Sequence, residues 1–79
     1  MEKTLNEIGV GQTGTVVGFG REVGRYRQKL MAMGLIKGTS FKVIRVAPMG
    51  DPVEIVVRNY NLSLRREEAK ALLVEEVAQ

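Results

Sequence analysis

Residues 9–19 read GVGQTGTVVGF. The first six, Gly9-Val10-Gly11-Gln12-Thr13-Gly14, fit the nucleotide fingerprint G-x-G-x-x-G, and what flanks them decides the fold. Such glycines receive a pyrophosphate only when a strand leads into them and a helix leaves them, because the helix N-terminus supplies the anion site. Here only a short apolar lead-in, Leu5, Ile8 and Val10, comes before. Thr15-Val16-Val17-Gly18-Phe19 comes after, a β-branched and aromatic run that reads as a strand. GVGQTG is therefore a turn entering a strand, and no nucleotide is expected to bind it.

Past that strand, Glu22 to Met33 has helical spacing. Val23, Tyr26, Leu30 and Met33 follow one another at three, four and three residues, which makes one apolar stripe. Arg25, Lys29 and, at the margin, Arg27 lie away from its centre. Gly34 suits the left-handed residue that ends a helix, and Leu35 can then fold back on Leu30 in a Schellman cap. Lys37-Gly38 is a second turn. Thr39–Ala47 and Val53–Arg58 read as strands, joined by Pro48-Met49-Gly50-Asp51-Pro52, whose prolines and glycine suit a hairpin loop. Val53, Ile55 and Val57 alternate with Glu54 and Arg58, so one face is buried, with Val56 the exception to the pattern.

Asn59-Tyr60-Asn61 reads as a turn, with Leu62 and Leu64 facing inward after it. Residues 66–71 make one or two helical turns with acids near the positive end, and Leu72 to Val77 is a last strand. The order is strand, helix, three strands, short helix, strand. Several short strands with tight turns predict a mainly β, partly open small barrel, because curling a sheet on itself hides its edges.

The 79 residues form a single domain. At this size only about 60% of the unfolded chain's surface is buried, so the core is thin. With 44% hydrophobic and 27% charged residues the composition is globular. There is no cysteine and no histidine, which removes the usual zinc ligands and the common bases for serine or cysteine nucleophiles. Asp51 and Glu54 are too few oxygens for a hard cation. Glu67-Glu68 and Glu75-Glu76 read as helix-end and surface acids. The chain is expected not to be an enzyme, and no catalytic residue, metal site or cofactor is assigned. No apolar run reaches the roughly 20 residues of a membrane span, and a cytoplasmic location is expected.

The net charge of +3 is unevenly placed. From Arg21 to Arg45 there are seven basic residues against Glu22 alone, so that segment is +6 and the remainder −3. Such asymmetry suits an acidic partner, a membrane surface or nucleic acid. A single-strand binder would need aromatic platforms, but Phe19 and Phe41 read as core and Tyr26 as part of the stripe. Nucleic acid is therefore not the expected partner. Methionine suits adaptable binding surfaces. Met31 projects about 100° from Leu30 at the helical pitch, and with Leu35 and Ile36 it forms a candidate apolar lip. Met49 tips the hairpin loop.

The runs YRQKLMAMGLIKG, VIRVAPMGDPVEI and NLSLRREEAKALLVEEV resemble the FeoA family, small cytosolic partners of the bacterial ferrous iron transporter FeoB. The resemblance covers about Leu5 to Val77. One departure is Lys37, where the family commonly has proline before the second glycine. The resemblance implies an SH3-like barrel and a non-enzymatic accessory role in ferrous iron uptake. It places the domain on the cytoplasmic part of the transporter, recruited to the inner face of the membrane through that partner. Transition-metal binding is also described for the family, but this chain offers no nitrogen or sulfur ligand set for it. Arg25, Arg27, Met31, Leu35, Ile36 and Met49 are the candidate partner-binding residues. Two other roles remain open: a GTPase activator supplying an arginine, and a nucleic-acid-binding small barrel.

Overall fold

In the computed structural model, residues 3–20 and 24–77 are described. The elements run β1 (Lys3–Thr4), a 3-10 turn (Leu5–Glu7), β2 (Thr13–Phe19), α1 (Gly24–Ala32), β3 (Ser40–Val46), β4 (Val53–Val57), β5 (Tyr60–Leu64), α2 (Arg66–Lys70) and β6 (Leu72–Val77). Arg21, Glu22 and Val23 lie outside the described residues, as does the side chain of Arg25.

The strands form one antiparallel sheet in the order β1-β6-β2-β3-β4-β5. The sheet stays open, because β1 and β5 are its two ends and do not pair. The 3-10 turn after β1 and α2 before β6 lie against each other, so short helical turns close the curl where hydrogen bonds do not. Each turn is locked by a capping box, in which a carboxylate reaches back to a free backbone donor. Thr4 N–H donates to Glu7 Oε1 at 2.7 Å, and Arg65 N–H to Glu68 Oε1 at 2.9 Å.

The core follows the alternation read from the sequence. Val53, Ile55 and Val57 are buried on β4, with Phe41 and Val43 from β3 and Leu72 and Val74 from β6. Leu5 and Ile8, the lead-in to the glycine turn, are buried with them. Burying a side chain of this size contributes roughly 1.5–3 kcal/mol, so a few such residues decide whether a thin core holds.

The GVGQTG segment is indeed a turn running into a strand. Gln12 N–H bonds Gly9 O at 3.1 Å, Gly11 takes φ 88, and β2 already begins at Thr13. The other hairpin reading shifts by one residue. The turn expected at Asn59-Tyr60-Asn61 is the two-residue turn Arg58-Asn59, with Val57 paired to Tyr60. The extra length of β5 comes from that pairing, because Tyr60 and Asn61 find partners on β4 that local turn propensity does not foresee.

Candidate functional site: a basic-rimmed apolar groove between β2 and α1

The groove depends on how α1 is held. Leu30 is fully buried, and Tyr26 and Met33 pack partly buried against the core. Polar ties work on the same side. Tyr26 OH donates to Glu67 Oε2 at 2.8 Å, Tyr60 OH to Met33 O at 2.9 Å, and the Lys29 ammonium pairs with Glu68. Glu68, expected at the surface, is 2% exposed. The reason is that its two oxygens have two separate jobs: one caps α2 and the other receives Lys29 from α1. Burial pushes its carboxyl up, but the Lys29 ammonium and the Arg65 N–H outweigh this and hold it below the ordinary carboxylate value.

The helix ends in the anticipated Schellman motif. Leu35 N–H bonds Leu30 O and Gly34 N–H bonds Met31 O, both at 3.0 Å, with Gly34 at φ 90. This geometry corrects one residue of the proposed lip. The 6→1 bond pulls Leu35 back over Leu30, and Leu35 is fully buried. It belongs to the core.

Arg27 and Met31 are one helical turn apart and share the opposite face. Opposite them, a register shift between Val16 and Gly18 interrupts the alternation of β2. Bulges re-aim the residues that follow them. Val16 stays buried, whereas Val17, Gly18 and Phe19 line a groove of about 590 Å³ with Arg27, Met31, Ile36 and Lys37. The Arg27 guanidinium sits 5.6 Å from the centroid of the Phe19 ring, a contact contributing about 0.5–1 kcal/mol at exposed sites. Met31 and Ile36 are 45% and 46% exposed, so apolar surface is offered to solvent between two cations. Among the described residues, no carboxylate lines the groove.

Three of the six candidate residues therefore meet: Arg27, Met31 and Ile36. Met49 is exposed at the β3–β4 loop and is not part of the groove, Leu35 is core, and the Arg25 side chain is outside the described residues. Phe19 was expected in the core and instead forms a half-buried wall. Val17, Gly18 and Lys37 were also missed; the consecutive Val16-Val17, which breaks period-2 alternation, is the signal for a bulge. A larger cleft of about 1030 Å³ lies beside α2. Its walls mix Asp51 and Glu67 with Arg65, Arg66 and Lys70 and carry no comparable apolar floor. Among the described residues, no three His, Cys, Asp or Glu side chains are placed to hold a metal ion.

Residues 3–76 match the FeoA domain family. The chain belongs to the FeoA family. A FeoA-like protein from Clostridium acetobutylicum superposes with a TM-score of 0.89 at 40% identity, over 99% of this chain and 90% of that one. Stenotrophomonas maltophilia FeoA, complexed with zinc and described as a prokaryotic SH3 domain protein, superposes with a TM-score of 0.79. At 24% identity over 92% of this chain and 89% of that one, it speaks for the fold alone. The open sheet of this FeoA domain is thus SH3-like. A Porphyromonas gingivalis fusion of Fe(2+) transport protein A with the Fe(2+) transporter FeoB is 37% identical over 73 residues. That match takes in 90% of this chain but spans only 8% of the fusion protein's length.

Proposed function

We propose that this FeoA domain is a non-enzymatic interaction module of ferrous iron uptake that docks on the cytoplasmic part of a FeoB-type transporter. The β2–α1 groove is its docking surface. The observation that carries the reading is the exposed Met31–Ile36 apolar strip set between Arg27 and Lys37 in a chain whose relative is fused to FeoB. Apolar strips with a polar rim suit protein contacts, and methionine adapts to a partner's shape. No helix among the described residues is long and apolar enough to cross a membrane, so the transporter would bring the domain to the inner membrane face.

A pull-down with the transporter's cytoplasmic domain tests this, run with the unaltered chain and with Met31→Gln. The unaltered chain should be retained and the variant should lose most of that binding, because its amide would be buried without a partner. Equal retention of both would move the docking surface off the groove. Absence of retention with the unaltered chain would remove the reading. GTP hydrolysis by the transporter domain, measured in the same mixture, should be unchanged; an acceleration lost with Arg27→Ala would instead make the chain a GTPase activator.

A further inference from the structure

The floor of the groove contains an unfilled position. A Cβ built on Gly18 would meet nothing within 4 Å, and the residue does not need positive φ. Glycine is thus not required there by backbone or packing. Its effect is to leave space between Phe19, Met31 and Ile36. The same stretch of β2 is an open strand side. β3 pairs with β2 at Thr13–Thr15, and beyond that pairing Val16 N–H donates to Thr39 O while Val16 O accepts from Gly38 N–H, both at 2.8 Å. Among the described residues, only β6 accompanies β2 from Val17 to Phe19. The charged groups among the described residues that face this space are Arg27 and Lys37, both cations.

We infer that the groove takes an extended acidic segment carrying an apolar side chain, with that side chain seated over Gly18 and carboxylates against Arg27 and Lys37. This rests on the docking reading above and specifies the partner's chemistry. The open side of β2 suits an extended chain, which adds along a strand and places alternate side chains in the groove. Aliphatic and thioether walls suit leucine, isoleucine or methionine as the anchor. A single-stranded nucleic acid is also acidic, but it needs free aromatic faces. Among the described residues the groove has one aromatic ring, Phe19, and Arg27 already lies over it.

The test uses amide-resolved NMR titration of the full chain with a short capped peptide of alternating glutamate and leucine. Shifts should centre on Val17–Phe19, Arg27, Met31, Ile36 and Lys37. Binding should weaken at least tenfold when salt is raised from about 0.05 M to about 0.5 M, since exposed charge pairs are screened. Gly18→Leu, which fills the space, should weaken the peptide at least tenfold, with its amide spectrum and melting curve verifying the fold. The double variant Arg27→Glu with Lys37→Glu should reverse the preference toward a lysine–leucine peptide, a gain that misfolding cannot imitate.

Equal binding of a glutamate–serine peptide would overturn the anchor, and equal binding of the lysine–leucine peptide by the unaltered chain would overturn the charge match. Stronger binding of a thymidine oligonucleotide at the same amides would give the groove to nucleic acid. Concentration-dependent shifts there without peptide would give it to a second copy of the chain. If the transporter domain binds but ignores Gly18→Leu, this inference fails while the docking reading stands. Peptide binding in the groove without retention of the transporter domain keeps the inference and removes that reading.

Discussion

The two faces of α1 differ in kind. One carries Tyr26, Lys29 and Leu30, continued by Met33 just past the helix end, and every one of them is engaged by the core, by Glu67 or Glu68, or by Tyr60. The other carries Arg27 and Met31, whose only described partner beyond the helix is the rim of the groove. A nine-residue helix is too short to be stable alone. It must therefore be held from outside, and here one face takes that task. The opposite face is left free to present apolar surface without unfolding the domain. In so small a protein this separation lets an exposed apolar strip coexist with a thin core.

Breaking the held face should have the largest effect. Leu30→Ala removes a fully buried side chain, and such truncations cost about 2–5 kcal/mol. Thermal melting should show a loss that is a large share of the domain's stability. A near-normal melt would mean that α1 is not an essential part of the core.

Glu68→Gln comes next, because it weakens both the α2 cap and the tie to Lys29. Hydrogen bonds to charged groups contribute about 1.5–3 kcal/mol, and the exposure of Lys29 places this one toward the lower end. Its pH dependence has a definite sign. The folded carboxyl lies below its ordinary value, so its contribution is complete above the unfolded carboxylate pKa of about 4.3. It is lost as pH falls through the folded value. Denaturant titrations should find the gap between parent and variant constant from neutral pH down to about pH 5 and closing below about pH 4. A gap that persists in acid would remove Glu68 as the titrating tie.

A smaller loss is expected from Gly34→Ala, at the end of the helix where the two faces are set. The new Cβ would lie 2.5 Å from Tyr60 Oη with the backbone at φ 90. Strain of this kind costs more than about 1 kcal/mol. Combining it with Tyr60→Phe should recover part of the loss, since the hydroxyl is the obstructing atom. No recovery would assign the whole penalty to the backbone.

The least effect on stability belongs to the free face. Met31→Gln should change stability by no more than about 0.5 kcal/mol while reducing transporter binding. A melt as poor as that of Leu30→Ala would make Met31 a core residue and erase the contrast between the faces.

Much of this was legible in the residues. Val53, Ile55 and Val57 announce a half-buried strand by period 2, and Tyr26, Leu30 and Met33 announce one helix face by their spacing. Gly34-Leu35 announces the cap. These signals are local, because they rest on backbone periodicity and on one glycine's freedom at positive φ. The meaning of GVGQTG was also decidable, since the residues that follow it are β-branched.

Tertiary structure alone decided which apolar residues the fold consumes. Leu35 and Ile36 are adjacent and chemically alike, yet a backbone bond to Leu30 buries the first and leaves the second 46% exposed. Phe19 looks like core by composition, but the register shift in β2 turns it to the groove beneath Arg27. Glu68 looks like a surface acid until α1 brings Lys29 to it across 39 positions of sequence. Periodicity reports which face a residue takes on its own element. What covers that face depends on partners distant in the chain, and so the groove became visible only when β2 and α1 were brought together.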